Sequence, residues 1–268
     1  QNNLLHPKFS QTNVVTGRLS CSDPNFQNIP RGDKLPIKRV IQSRFDDGEI
    51  IEMDFAQLEF RVAAFLSQDS QAIQDILEGV DVHQNTANVI GCDRQTAKAQ
   101  TFKPLYGGMS GTDEEKKYYS YFRKRYKGIT LWQEKTEDTA ISTSFVTLPS
   151  GRQYYFEGIK RASWGGSNFY TQVRNYPVQG FATGDIVPVA CIDIYKSMKN
   201  MRTRLINTVH DSIIIDVHPK EVDSVLNKLK KACDGITQSI NKRYNIDFNV
   251  PLDYEIKKGH NWLDLKRI

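Results

Sequence analysis

At 268 residues, with 39% hydrophobic and 25% charged side chains, the chain can bury a real core in one or two domains. Its formal net charge of +5 suits a polyanionic partner without demanding one. No apolar run approaches membrane-spanning length, the opening Gln1-Asn2-Asn3-Leu4-Leu5 is no signal peptide, and the scattered Cys21, Cys92, Cys191 and Cys233 offer neither a disulfide framework nor a zinc motif.

Residues 1–40, rich in Asn, Pro, Gly and Ser, read as loop with short extended pieces. From Ile50 the pattern alternates as in a half-buried strand, Ile51, Met53 and Phe55 on one side and Glu52 and Asp54 on the other. It then switches to helical spacing, with Leu58, Val62, Phe65 and Leu66 on one stripe of a helix ending near Ser67. A second helix is predicted from about Asp69 to Glu78, with Ile73, Ile76 and Leu77 inward and Gly79 as its stop. Within 93–108, Arg94, Lys98, Phe102 and Tyr106 stand four apart, a slowly drifting ridge on one helix face. Pro104 removes the bond to the Gln100 carbonyl and predicts a kink between Phe102 and Tyr106.

Thr112-Asp113-Glu114-Glu115 reads as a capping box ahead of a helix with Tyr118, Tyr119, Phe122 and Tyr126 inward. A helix over about 129–144 leads to a hairpin, Phe145–Leu148 and Gln153–Phe156 around Pro149-Ser150-Gly151. Leu205–Val217 reads as two β-rich runs meeting at His210-Asp211. Lys220–Cys233 is an amphipathic helix with Val222, Val225, Leu226 and Leu229 inward. Phe248–Ile256 alternates as a strand, with Pro251 at an edge or bulge. Two places point to chemistry. Asp54, where a strand ends and a helix begins, is well placed to face a cleft. The ridge of two cations followed by two aromatics is odd for a core, and suits a surface that grips phosphates at one end and stacks on a base at the other.

Asp54-Phe55-Ala56-Gln57-Leu58-Glu59-Phe60-Arg61 resembles the first catalytic motif of family A DNA polymerases, Asp-Tyr/Phe-Ser-Gln-Ile-Glu-Leu-Arg. Arg94-x3-Lys98-x3-Phe102-x3-Tyr106-Gly107 is similar to that family's nucleotide-binding helix at every specified position. Val209-His210-Asp211-Ser212 resembles its third motif, Val-His-Asp-Glu, with Ser212 in place of the Glu. Similar in turn are Thr16-Gly17-Arg18-Leu19-Ser20, the segment Asp23–Pro30, Gly79-Val80-Asp81-Val82-His83, Asn175-Tyr176-Pro177-Val178-Gln179-Gly180 and Gly259-x-x-Trp262, so that the resemblance spans essentially the whole chain. After Gly180, Asp185 falls one residue late and Pro188 interrupts a helix, which leaves the register there open.

The resemblance implies an α+β chain: an antiparallel-sheet palm with a mainly helical fingers subdomain, the right-hand polymerase fold lacking the thumb. Palm segments are expected at 1–67 and 173–268 and fingers at 68–172; the thumb and any exonuclease domain would lie before Gln1. Asp54 and Asp211 are implied as the catalytic pair, holding two Mg²⁺ ions, with Mn²⁺ as a substitute. Nucleotide contacts are implied for Gln57, Glu59 (against a ribose 2′-hydroxyl), His83, Arg94, Lys98, Phe102 and Tyr106. Primer–template contacts are implied for Arg18, Asn25, Gln27, Asn28, Asn175, Gln179 and His210. The implied activity is template-directed transfer of deoxynucleotides from dNTPs to a primer 3′-hydroxyl. The chain would then be a monomeric fragment of a larger polymerase, working in a bacterial cytoplasm or an infected cell. Ser212 implies weaker metal binding rather than a dead site, since a hydroxyl brings no charge. Three rivals stand: a metal-dependent nuclease, which has no need of the ridge; a non-catalytic DNA-binding module, which Ser212 favours slightly; and a single-subunit RNA polymerase, which Glu59 disfavours.

Overall fold

The computed structural model describes residues 4–30 and 35–268. In chain order, strands β1 (Lys8–Ser10), β2 (Ser20–Ser22) and β3 (Glu49–Phe55) come first. Helices α1 (Leu58–Ser67), α2 (Ser70–Leu77), α3 (Val82–Ile90), α4 (Arg94–Thr101), α5 (Asp113–Arg125) and α6 (Lys127–Thr143) follow. A hairpin of β4 (Phe145–Thr147) and β5 (Gln153–Tyr155) precedes α7 (Tyr170–Gln179) and α8 (Val187–Ser197). The chain closes with β6 (Arg204–Val209), β7 (Ser212–Val217), α9 (Val222–Asp234), α10 (Ile236–Tyr244), β8 (Tyr254–Gly259) and β9 (Lys266–Arg267). The fold is mixed α+β, and it divides into two compact units. Residues 1–58, 182–246 and 252–268 make the first; residues 59–181 and 247–251 make the second.

The first unit is built on a five-stranded antiparallel sheet in the order β6-β7-β3-β8-β9. Ile51, Met53 and Phe55 share a buried face with Ile213 and Ile215, as the alternation predicts. The opposite face is not purely polar, because Ile50, Val209, Ile214 and Trp262 form a buried cluster there. The strand expected from Phe248 starts only at Tyr254. Pro251 has no N–H to give a ladder. Between α7 and α8, Gly180–Ile186 is a π-helix. A π turn absorbs an extra residue without breaking the helix, which accounts for Asp185 arriving one place late. Pro188 falls at the start of α8, directly after this π segment. Gly184 is needed in this helix: a Cβ there would lie 2.6 Å from the Thr16 carbonyl oxygen.

Helices α2 to α7, most of α1 and the β4–β5 hairpin make the second unit. Its core is aromatic. Tyr118, Tyr119, Phe122 and Tyr126 are buried as their spacing predicts, behind the Thr112–Glu115 capping box. Two expectations need correcting. In α1, Phe60, Ala63 and Ala64 are buried and Phe65 and Leu66 only half-buried, so the helix is enclosed on more sides than one stripe. In α2, Leu77 is 62% exposed and Asp75, at 1%, takes the inward place. Arg125 binds Asp75 through Nε at 2.9 Å and Nη2 at 2.7 Å. The Tyr126 hydroxyl and Gln71 Nε2 each donate to it at 2.7 Å. Burial alone would raise the Asp75 carboxyl; the donors from Arg125, Tyr126 and Gln71 outweigh it and hold the group below the usual carboxylate value.

Candidate active site

In the first unit, strand register brings the two predicted acids together. Asp54 on β3 lies opposite Ser212 on β7. The Phe55 N–H donates to the carbonyl oxygen of Asp211 at 3.3 Å, so the two aspartates occupy neighbouring strand ends. The β6–β7 turn is tight, with His210 at φ 57, a left-handed conformation that non-glycine residues adopt rarely. Ser212 Oγ donates to the Val209 carbonyl at 2.9 Å and closes the turn. Just past the same end of β3, Ala56 N–H donates to Asp253 O at 2.8 Å, and Gln57 takes φ 54 as strand gives way to helix. Asp54, Glu52 and Ser212 open on a cavity of about 370 Å³ that Lys38, Lys257 and Trp262 also line.

The predicted primer-side residues of this unit gather near the same turn. An Arg18 Nη2 meets His210 Nδ1. Gln27 Nε2 donates to the Thr208 carbonyl on β6 at 2.9 Å. Asn25 Oδ1 accepts from Gln27 N–H at 3.0 Å and caps the short 3₁₀ turn Phe26–Asn28, whose last residue is exposed. Asn25 and Gln27 therefore already serve the backbone of the protein itself, as polar turn residues often do.

The second unit holds the cationic group. Arg94 and Lys98 are exposed on α4, behind the N-cap Asp93. Arg94 Nε pairs with Asp81 Oδ2 at 2.7 Å, and this contact holds the Asp81 carboxyl below its usual range. His83, in the first turn of α3, sits beside them. Its Nδ1 lies 3.0 Å from Thr101 Oγ1 and its ring meets Phe102 edge-on at 5.2 Å. Burial, then the charges of Arg94 and Lys98, push the imidazole below its ordinary value. At neutral pH His83 is a hydrogen-bonding group, not a cation.

The four-residue ridge is not continuous. The α-helix ends at Thr101, Phe102 leaves helical geometry at φ −105, and Lys103–Tyr106 form a 3₁₀ turn with Pro104 buried. This break lies where Pro104 predicts a kink. Phe102 is half-buried and stacks on Phe60 at 5.7 Å. Gln133 of α6 donates to the carbonyls of Pro104 at 3.1 Å and Leu105 at 2.9 Å, and thereby anchors the turn that carries Tyr106. Arg174, buried in an ion pair with Glu137 at 2.9 Å, backs Gln133. The motifs did not name Asp81, Gln133, Glu137 or Arg174 as supports. A polar residue at the inward helical position of Gln133, in step with Ile129 and Ala140, was the available signal. Glu59 lies in the first turn of α1, and Asn175 and Gln179 lie on α7. Asn175 Oδ1 is buried without a hydrogen-bond partner, which is unusual for a folded chain.

Over residues 1–264 the chain matches the sequence model of DNA polymerase family A. It belongs to that family. Its family A relatives include DNA polymerase I of Caldicellulosiruptor bescii, 30% identical over 284 residues that cover 98% of this chain and 32% of that protein. The thermostable DNA polymerase I of Thermus aquaticus is 28% identical over 98% of this chain and 33% of its own length. The chain thus spans about a third of these relatives. Among solved structures, the POL domain of Pol1 from M. smegmatis, in complex with DNA primer-template and dNTP, has the same fold. It superposes with a TM-score of 0.80 over 99% of this chain and 49% of that one, at 24% identity. No helix among the described residues is long and apolar enough to cross a membrane.

Proposed function

We propose that the first unit is the palm and the second the fingers of a right-hand DNA polymerase, and that the chain adds deoxynucleotides from dNTPs to the 3′-hydroxyl of a primer on a DNA template. The β3–β7 ladder carries this reading, since it sets Asp54 beside the turn that bears Asp211. Primer-template and dNTP, bound by the M. smegmatis relative, are the partners proposed here.

Asp54 and Asp211 would hold Mg²⁺, or Mn²⁺ in its place. The donor chemistry fits: both ligands are carboxylates suited to hard cations, and the lining of the cavity beside Asp54 contains no thiolate. Among the described residues no three His, Cys, Asp or Glu side chains make a complete cage, so solvent and phosphate oxygens would complete the shell. Bound ions would lower the pKa of the primer hydroxyl and offset phosphate charge.

The protein's own share is positioning and electrostatics. Arg94 and Lys98 bind the triphosphate by charge, and neutral His83 by hydrogen bonding. Phe102 bears on the sugar, Glu59 excludes a 2′-hydroxyl, Gln57 borders the nucleotide and Tyr106 guards the template base. Arg18, Asn25, Gln27, Asn28, Asn175 and Gln179 reach the minor-groove acceptors that all base pairs share, and His210 stands beside the primer terminus. Primer extension with Mg²⁺ and one labelled dNTP tests the reading. Template-dependent addition of the complementary nucleotide is expected; primer degradation, or ribonucleotides used as readily as deoxynucleotides, would replace it with the nuclease or the RNA polymerase.

A further inference from the structure

Position 212 is a serine, neutral and 6% exposed, with its hydroxyl already donated to the Val209 carbonyl. The strand register puts an acid one step away. Asp54 faces Ser212 directly, and Glu52, two residues back on β3, is on the same sheet face and diagonal to Ser212. Diagonal neighbours in an antiparallel pair lie about 7–8 Å apart, within reach of a long side chain. Glu52, Asp54 and Ser212 line one cavity. Glu52 is half-buried, and its Oε2 accepts from Trp262 Nε1 at 2.7 Å. Trp262 is itself buried, its backbone N–H donating to Ile41 O at 3.0 Å and its ring capped by Lys38 Nζ at 3.9 Å. The carboxylate is thus fixed by a rigid partner through one oxygen.

We propose that Glu52 supplies the negative charge that Ser212 lacks, as a positioning residue that raises the affinity of the Asp54–Asp211 pair for divalent cations. This rests on the polymerase reading above. Ser212 then does not simply weaken the site; the acid has moved from β7 to β3. A competing role also exists on the same face, since Glu52 could serve only to hold Trp262 and to balance Lys38 and Lys257. Glu52→Gln separates the two, because the amide oxygen can still accept from Trp262 while the charge is gone.

The test is Mn²⁺ binding by the whole chain, followed by the free-ion EPR signal, for wild type, Glu52→Gln, Ser212→Glu, the double variant and Asp54→Asn. Thermal melting checks that each is folded. Glu52→Gln is expected to weaken Mn²⁺ binding by about tenfold, the order of one partly screened charge, with melting unchanged. Adding Ser212→Glu to it is expected to restore binding to within about twofold of wild type, because the charge returns at the diagonal position. Unchanged Mn²⁺ affinity in Glu52→Gln beside a loss in Asp54→Asn would overturn the role of Glu52 and leave the aspartates standing. Unchanged affinity in both would bring down the metal reading and this inference with it.

Discussion

The aspartate pair and the cationic helix are assembled in opposite ways. Asp54 and Asp211 are far apart in the chain and come to neighbouring strand ends only because β3 and β7 pair in one register. A slip of one residue would turn both side-chain sets to the other face. Arg94 and Lys98 meet through nothing more than the α-helical repeat, and their neighbours Asp81 and His83 come from the adjacent helix. A long-range ladder gives a site whose geometry is all or none. A local repeat gives one that can be tuned residue by residue. The two should therefore respond differently to substitution.

The largest effect is expected in the first unit. Asp54→Ala or Asp211→Ala should lower single-turnover primer extension by about 10³-fold or more, at the upper end of what one lost electrostatic contact costs. Duplex affinity should stay within about threefold, since phosphate contacts carry most of it. A residual rate within tenfold of wild type would end the catalytic assignment.

A stability experiment probes the packing under the second unit. Asp75→Asn leaves Arg125 facing a neutral amide beside a buried site and should cost about 3 kcal/mol, as breaking a buried pair from one side does. Urea melts would show it. The folded-state value of Asp75 lies below 3.8, so its contribution is full above that pH and is lost as pH falls through the folded value. Wild type and Asp75→Asn should accordingly converge in acid. A constant gap between them down to pH 2 would show that the carboxylate's charge is not what holds α2 to α5.

Smaller, graded changes are expected on the ridge. Arg94→Ala and Lys98→Ala should each raise the apparent dNTP KM by about 10- to 100-fold, the worth of one charge-assisted hydrogen bond, with primer–template affinity unaltered. Asp81→Asn, which releases Arg94 from its ion pair, should lower KM slightly or leave it. A collapse as complete as that of Asp54→Ala would mean that the ridge is not tunable and that the contrast between the units is false.

The smallest effect is a pH dependence. The folded-state value of His83 is depressed below 6.5, so the folded protein resists protonation there more than the unfolded chain does. Stability from this group is complete above pH 6.5 and declines as pH falls through that value toward the folded one. His83→Gln should flatten the stability profile below pH 6.5 while leaving its slope above about pH 7 unchanged. An identical slope in the variant would place the titrating group elsewhere.

How much of this was legible without coordinates follows the same division. The acid at the end of a strand, the tyrosine-lined helix behind its capping box, and the four-residue spacing of Arg94 and Lys98 were all readable, because each depends on residues within a turn or two of one another. Pro104 announced the break in the ridge. Leu77 and Asp75 were read the wrong way round, since periodicity cannot see that Arg125 and Tyr126 wait across the core to pair an inward acid. The strand expected from Phe248 was shortened, because ladder pairing, not alternation, decides where β8 begins.

The amino-acid order by itself determined the elements, their caps and turns, and the family motifs, all of which rest on short-range sterics and hydrogen bonding. Only the tertiary structure decided that Asp54 faces Ser212, that Glu52 opens into the same cavity, and that Gln133 anchors the turn before Tyr106. Those facts depend on strand register and on which buried polar groups find partners, and both are settled by contacts among residues that the chain itself keeps far apart.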